Sequence, residues 1–567
     1  MIKKISIIWK KHKYVFVFLA IIILAIILRF PFLNVFPPAM VQDEVGLAYS
    51  AISIAETGRD EWGEAFPLLF KSFGDYKSPA FIYLTAALYK IITWHQVLPR
   101  ITSAIAGVLI VILSILWIRQ LTHSKKLALL AGLLVATSPW TIHLSRMALE
   151  SNIALAFFLT GLLLIGVKNT ILSTLVAAIF FSLGTYTYSG YRFLAITFLL
   201  AYILSIILFN YKIIKNYQAL LKKLFIILIV SSLLSLPILL VKNTNIRMNQ
   251  VLLVSSEKQL QLYKHYENNC HLTFSAIDPR LNVVCRLAYN KFSRPILITI
   301  KSYLKHLSPG FYFFTGDTEA GRNPTQAGQF YPFLIIFWMI GLVKALENPR
   351  KHLLLLFGFL VAILPSAVAG DPHAIRLTPV IPFILLGIIR GYQYFREKIC
   401  KQQIVDYLFV ALLLLSTIFY SFNYMISTSM NHELTNSYLS YAKKISNIAH
   451  DYVERGYRVY ADIELYPEPH IYYVYWNQID PLLTQQSFKT LIAEDSGFTR
   501  PTQFGEQMFF KKFNLADTDC GSQDIEAIAL IRKEQLPDIQ ALQVIRDNSN
   551  TYDIAYIYEA WQWCRAE

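Results

Sequence analysis

A succession of apolar runs, each about long enough to cross a bilayer, constrains this chain more than any other feature. A transmembrane helix needs ~20 predominantly apolar residues, and inside the hydrocarbon every backbone polar group must be satisfied within the segment. Such runs lie near 14–33, 99–118, 126–142, 149–167, 171–189, 191–210, 220–241, 328–345, 352–369, 377–395 and 404–426, giving eleven expected spans. Composition agrees: of 567 residues 55% are hydrophobic and only 16% charged, with a mean hydropathy of +0.43. These values exclude disorder, coiled coil and collagen and argue against an ordinary soluble protein. The first run is too long, and lacks the small-residue cleavage site, for a cleaved signal peptide, so it reads as a retained anchor.

The net charge of +15 would suit a nucleic-acid binder, but the placement of the charges gives another reason for it. Residues 1–13 carry Lys3, Lys4, Lys10, Lys11 and Lys13 with no acid. Arg119, Lys125 and Lys126, then Lys168, the 210–223 link, 344–351 and 390–401 continue the pattern on alternate connections. These six segments hold 20 Lys/Arg against two acids. The other connections run the opposite way: residues 34–78 hold seven acids and three bases, and the tail 430–567 holds 20 acids and 12 bases. Basic loops stay on the cytoplasmic side, so the expectation is a multi-pass protein of the cytoplasmic membrane with its N-terminus inside and its tail outside. Residues 79–96 are apolar but break this alternation if counted as a crossing. They are expected to dip into the membrane or lie along it.

The expected fold is a polytopic α-helical membrane protein with about eleven spans, a re-entrant or surface segment, and a C-terminal extracytoplasmic α/β domain. The membrane module would cover 1–429, with outer loops at 34–98 and 242–327, and the soluble domain 430–567. In the tail a helix-like stretch at 438–455 precedes β-like runs at 458–464, 527–532 and 552–560, the alternation of a small α/β domain. Cys270 and Cys285 share one outer loop and Cys520 and Cys564 share the tail, giving two candidate disulfides. Free buried thiols are the alternative, because sequence does not fix the Cα separation a bridge needs. Cys400 stands alone on the inner side.

Ionisable residues at a membrane boundary are expensive and tend to be functional. Asp43 and Glu44 follow the first span in PPAMVQDEVGLAYSAISIAETG. Asp43 could simply cap the next helix, whose apolar face of Val45, Ala48, Ile52 and Ala55 suits a helix lying on the membrane surface. Further polar clusters fall at outer ends of spans: Asp75 and Lys77; Arg146 and Glu150; Tyr188, Tyr191 and Arg192; and Asp371, His373 and Arg376. Each has a bland reading. Lys77 and Arg192 could snorkel to headgroups, Arg146 and Glu150 could be an i,i+4 helix pair, and His373 a satisfied loop histidine. Taken together they are a one-sided set of acids and cations, which transfer from a lipid-phosphate donor needs: a carboxylate to take the acceptor's proton and cations to hold the departing phosphate. No Walker A loop, no GxGxxG after a strand, no HExxH and no CxxC is present. A divalent metal near Asp43, Glu44 and Asp75 is possible chemistry, though their spacing is not a recognised ligand pattern and no cofactor is required.

These residues resemble the GT-C superfamily of polytopic glycosyltransferases. The nearest likeness is to protein O-mannosyltransferase and aminoarabinose-transferase-like (RgtA/B/C/D-like) bacterial enzymes. The resemblance is carried by Asp43-Glu44, by DYKSPAFIYL followed by PRITSAIAG, by SPWTIHLSRMALESN and by GDPHAIRLTPVIPF, with NKFSRPILITIKSYLKHLSPGFYFFTGD similar to the long outer loop. It covers most of residues 30–390. It implies a sugar donor on a polyprenyl phosphate and a protein, lipid or envelope-glycan acceptor on the outer face. Asp43 would be the general base, supported by Glu44, with Glu150 a second acid lining the site. Lys77, Arg192 and Arg376 would contact phosphate, and Arg146, Tyr191 and His373 would complete substrate binding. The sequence departs from the family where Tyr76 precedes Lys77 and Ser78-Pro79 follows, leaving Asp75 two residues back and its metal-ligand role in question. The expected activity is inverting glycosyl transfer. The rival, a non-enzymatic transporter or flippase of polyprenyl-linked sugars, would place polar groups at mid-membrane in repeated halves, and neither is seen here.

Overall fold

The computed structural model describes residues 2–567 except 73–75, 93–95, 168–169, 210–216, 243, 245–256, 279, 281, 289, 291–292, 401, 431–438, 440, 464, 466–467, 489–490, 494–498, 513–525, 532–539, 547–552 and 560–567. The chain divides into two compact units. One comprises 1–29, 105–144 and 150–420, and the other 30–104, 145–149 and 421–567.

A helix occupies each of the eleven expected segments: Ile2–Arg29, Leu98–Thr122, Lys125–Thr137 with Pro139–Arg146, Glu150–Ile165, Ile171–Thr185, Ser189–Phe209, Tyr217–Leu240, Leu334–Glu347, Leu353–Ala367, Ile381–Tyr394 and Ile404–Met430. Among the described residues five helices are long and apolar enough to cross a bilayer alone. They become six when Lys125–Thr137 and Pro139–Arg146, bent by 54°, count as one broken span. The chain is a multi-pass helical membrane protein.

In the first unit the bend is stabilised from outside its own helix. Arg29, wholly buried, donates to the Ala136 carbonyl at 2.9 Å, the Val135 carbonyl at 3.1 Å and Thr141 Oγ1 at 3.0 Å. It thereby satisfies carbonyls that the break at Ser138 orphans. Elsewhere Leu334–Glu347 and Ile381–Tyr394 meet on glycines: a Cβ on Gly391 would stand 1.8 Å from the Phe337 carbonyl oxygen, and one on Gly341 2.0 Å from that of Gly387. Such contact needs small residues, as in other membrane helix pairs. The long connection between Tyr217–Leu240 and Leu334–Glu347 includes helices Glu257–Ile277, Asn282–Ala288 and Ser293–His306. Cys270 and Cys285 form the expected disulfide. Cys520 and Cys564 lie outside the described residues.

The second unit is built on a six-stranded sheet. Its strands are β1 (Arg458–Asp462), β2 (Gln503–Phe504), β3 (Met508–Lys511), β4 (Ala527–Ile531), β5 (Gln543–Arg546) and β6 (Asp553–Glu559), in the order β2-β3-β1-β4-β6-β5. Strand β1 is parallel to both β3 and β4, and β6 is antiparallel to β4 and β5. The buried runs VYAD in β1 and AIALI in β4 fit central strands covered on both faces.

One expectation is corrected here. The helix Gln42–Thr57 was expected to lay its apolar face on lipid. Instead every residue from Glu44 to Ala55 is buried, and Val45, Ala48, Tyr49 and Ile52 share a core with Tyr472, Val474, Ile528 and Ile557 of the tail. Its periodicity marks an apolar face, and protein covers that face. Polar contacts add to the packing: Tyr49 Oη lies 2.6 Å from Thr484 Oγ1, and Gln485 donates to Ser53 Oγ, Thr57 Oγ1 and the Asp60 carbonyl. The segment at 79–96 contains a helix of 11 residues, Pro79–Tyr89. At ~1.5 Å per residue that is about half the hydrocarbon thickness.

Two measurements follow from this unit. With Cys400→Ser as background, single cysteines at Arg59 and Lys90 should react with an impermeant maleimide from the same face of sealed vesicles, read by peptide mapping. Reaction from opposite faces would make Pro79–Tyr89 part of a crossing. Glu61, buried and hydrogen-bonded by Ser50 Oγ at 2.7 Å, has its carboxyl pushed from 4.5 up to about 8 by burial, with the Ser50 bond opposing and the Asp60 charge adding. The folded chain thus keeps a proton that the unfolded chain has lost between those values, and stability should fall as pH rises from about 4.5 to about 8. Glu61→Gln should flatten that fall in a thermal-midpoint series; an unchanged slope would remove Glu61 as its source.

Candidate active site

The loop Phe30–Val41 leads into the helix Gln42–Thr57. Acids belong in a helix's first turn, where they face the positive end of its dipole, and Asp43 and Glu44 both sit there. Their roles differ. The alternative in which Asp43 simply caps the helix does not hold: Val41 is the cap position, and the Val41 N–H donates to Glu44 Oε2 at 3.1 Å, the reciprocal half of a capping box.

Glu44 is completely buried and fully engaged. Arg100 donates to it twice, Nε to Oε1 at 3.0 Å and Nη2 to Oε2 at 3.1 Å. The Ala148 N–H donates to Oε1 at 2.6 Å. Arg100 also donates to the carbonyls of Leu33 (2.7 Å), Pro37 (2.8 Å) and Ala39. Arg146 takes the neighbouring carbonyls of Phe36 (3.0 Å), Pro31 (2.8 Å) and Phe32 (3.2 Å), with its guanidinium 5.9 Å from the Tyr424 ring centre. Two arginines thus satisfy an irregular loop. Buried charge and buried backbone carbonyls both require such partners.

Asp43, one residue earlier, keeps its carboxylate 42% exposed and receives a 2.7 Å hydrogen bond from Lys77 Nζ, itself 12% exposed. Lys77 stands on the short strand Tyr76–Lys77, paired antiparallel with Phe70–Lys71. A half-exposed carboxylate beside a partly buried ammonium can exchange partners, which the sealed Glu44–Arg100 pair cannot. Asp75 lies outside the described residues.

The remaining candidates belong to the other unit. The helix breaks at Met147–Leu149 and restarts with Glu150 in the first turn of Glu150–Ile165. Arg146 and Glu150 are therefore not an i,i+4 helix pair. Tyr191 is buried, with its hydroxyl 3.2 Å from Thr378 Oγ1. Arg192 is buried, donates to the Thr244 carbonyl at 3.2 Å and borders a largely apolar cavity of about 160 Å³ lined also by Ser189, Phe193, Ile196, Leu239 and Thr244. His373 and Arg376 are half-buried on one turn. There Ile375 N–H donates to His373 Nδ1 at 3.2 Å and Arg376 Nη1 to the Ala369 carbonyl at 3.3 Å. Among the described residues no three His, Cys, Asp or Glu side chains form a metal-ligand set. Asp43 presents its Oδ1 to the Lys77 ammonium.

Sequence reasoning missed two residues. Arg100, at the start of an apolar helix, carried the buried-charge signal that should have singled it out. Asp317 lay in the quoted loop without any motif of its own. It is buried. Burial alone would raise its pKa, but the hydrogen bonds and charge of Arg322 and the N–H groups of Ala374 and Glu319 hold it below the usual carboxylate range.

No protein-family model matches the chain, and no curated protein does. Solved structures do. The apo oligosaccharyltransferase of Archaeoglobus fulgidus superposes with a TM-score of 0.52 at 14% identity, over 82% of this chain; the chain spans 64% of that protein's length. ArnT from Cupriavidus metallidurans, in the apo state, superposes with a TM-score of 0.50 at 12% identity over 98% of this chain and 99% of its own. Its undecaprenyl phosphate-bound form gives 0.50 at 12% identity over 96% and 97%. The fold is that of the GT-C membrane glycosyltransferases.

Removing one partner of a buried ion pair strands the other charge, at a cost of about 3–5 kcal/mol. Glu44→Gln should therefore lower unfolding stability by about that much, whereas Asp43→Asn, at a half-exposed pair, should shift it by less than about 1 kcal/mol. Equal thermal shifts for the two variants would refute this division of roles.

Proposed function

We propose that this protein transfers a sugar from a polyprenyl-phosphate donor to an acceptor on the outer face of the membrane, with inversion at the anomeric carbon. The observation that carries the reading is the Asp43–Lys77 pair, a half-exposed carboxylate 2.7 Å from an ammonium, on a fold shared end to end with a protein solved with undecaprenyl phosphate bound. In this reading the donor's phosphate draws Lys77 away from Asp43. The freed carboxylate takes the proton of the acceptor hydroxyl or amine as that atom bonds to the anomeric carbon. The bond from that carbon to the phosphate oxygen breaks, and polyprenyl phosphate leaves with Lys77 as its counter-charge. Glu44 supports Asp43 by holding the helix start. The roles of Glu150, Tyr191, Arg192, His373 and Arg376 in binding belong to the same proposal and rest on the family resemblance of the chain. The orientation, N-terminus in the cytoplasm and tail outside, and the cytoplasmic membrane as its site are part of it too, and rest on the placement of the basic residues.

The test uses the full chain in nanodiscs with radiolabelled polyprenyl-phosphate sugars and cell-envelope extract as acceptor, following release of polyprenyl phosphate. Asp43→Asn should fold normally and lose about 10²–10⁴-fold in turnover. Near-native turnover in that variant sinks the base assignment. Binding of donor without release, equal in both proteins, would point to a carrier.

A further inference from the structure

Within the loop 314–330 of the first unit, one buried carboxylate gathers four hydrogen bonds. Asp317 accepts from Arg322 Nε at 2.9 Å and Nη2 at 3.0 Å and from the Glu319 N–H at 3.0 Å. Asn323 Nδ2 donates to the Asp317 carbonyl at 3.1 Å and to that of Thr315 at 2.9 Å. Gly316 turns the chain at φ +66°, where a Cβ would stand 2.3 Å from the Ala327 carbonyl oxygen. The remaining contact of Asp317 reaches 57 residues along the chain: the Ala374 N–H donates to Oδ2 at 2.8 Å.

Ala374 is held on its other side as well. Its carbonyl accepts from Trp140 Nε1 at 2.9 Å, and Trp140 is itself packed among Phe311, Tyr312 and Phe330. Upstream, the Gly370 carbonyl accepts from Ser302 Oγ and Asp371 pairs with Lys305. The turn bearing His373 and Arg376 is therefore held at its upstream end, and its middle residue is clamped through both backbone polar groups. Neither His373 nor Arg376 supplies these clamps. Their side chains are half-buried while Ala374 between them is sealed.

We infer that Asp317 is a positioning residue, fixing the turn 370–377 so that Arg376 is set to meet the phosphate of a polyprenyl-linked donor. This rests on the proposed donor-binding role of Arg376. Asp317 itself touches no substrate; its effect passes through the Ala374 N–H. A misplaced turn leaves the general base untouched, so the loss is read first in donor binding.

Direct binding of undecaprenyl phosphate to the full chain in nanodiscs reads this without knowing the sugar. Asp317→Asn and Arg376→Ala should each weaken it about tenfold, the worth of one hydrogen bond to a charged group, and the double variant should be no weaker than Arg376→Ala. Trp140→Phe, which removes the other clamp without stranding a charge, should weaken binding in the same direction and serves if Asp317→Asn fails to fold. Native-like binding by folded Asp317→Asn, or losses that multiply in the double variant, would overturn the inference while leaving the transferase reading intact. Failure of the native chain to bind undecaprenyl phosphate at all would instead overturn both.

Discussion

The second unit depends on one buried ion pair, Glu44 with Arg100. The loop from Phe30 to Val41 makes few hydrogen bonds of its own, yet it presents carbonyls in a partly buried setting. Arg100 and Arg146 satisfy six of them, at Pro31, Phe32, Leu33, Phe36, Pro37 and Ala39. Arg100 can be buried there because Glu44 neutralises it. Glu44 in turn is placed by the helix start through Val41 and by the Ala148 N–H. Such a pair contributes little net stability over a well-packed apolar alternative, but removing one member is costly. Its consequence is geometric: the first turn of Gln42–Thr57 is fixed, and the half-exposed Asp43 with it.

The membrane-spanning half was legible because apolar length needs no tertiary context. All eleven runs became helices for that reason, and the bend at Ser138 left only its proline, Pro139, as a local sign. The Cys270–Cys285 bridge was legible in outline because both thiols lie in one connection, 15 residues apart. The covering of Val45, Ala48 and Ile52 was not, since lipid and a protein core present the same apolar surface to a periodic face. Nor was the division of labour between Asp43 and Glu44. Neighbouring acids look alike in sequence, and one position along a helix start decides which is sealed and which is open. The Arg146 and Glu150 spacing misled in the same way, because a helix break at Met147–Leu149 carries no proline or glycine to announce it.

A single device recurs in both units. Glu44 accepts two bonds from Arg100, one from the nearby Val41 N–H and one from the distant Ala148 N–H. Asp317 accepts two from Arg322, one from the nearby Glu319 N–H and one from the distant Ala374 N–H. In each case a buried carboxylate, neutralised by a guanidinium, ties a remote backbone amide to a local turn. A carboxylate suits this because it offers about four lone-pair sites and its charge roughly doubles the strength of each bond. In each case, too, the residue proposed to act is a close neighbour of a tied one: Asp43 beside Glu44, and His373 and Arg376 on either side of Ala374. Fixing the backbone through one sealed group while leaving the adjacent side chain accessible reconciles two opposed demands. A charge at the edge of a membrane must be held in place, and a charge that works must remain free to change its partner.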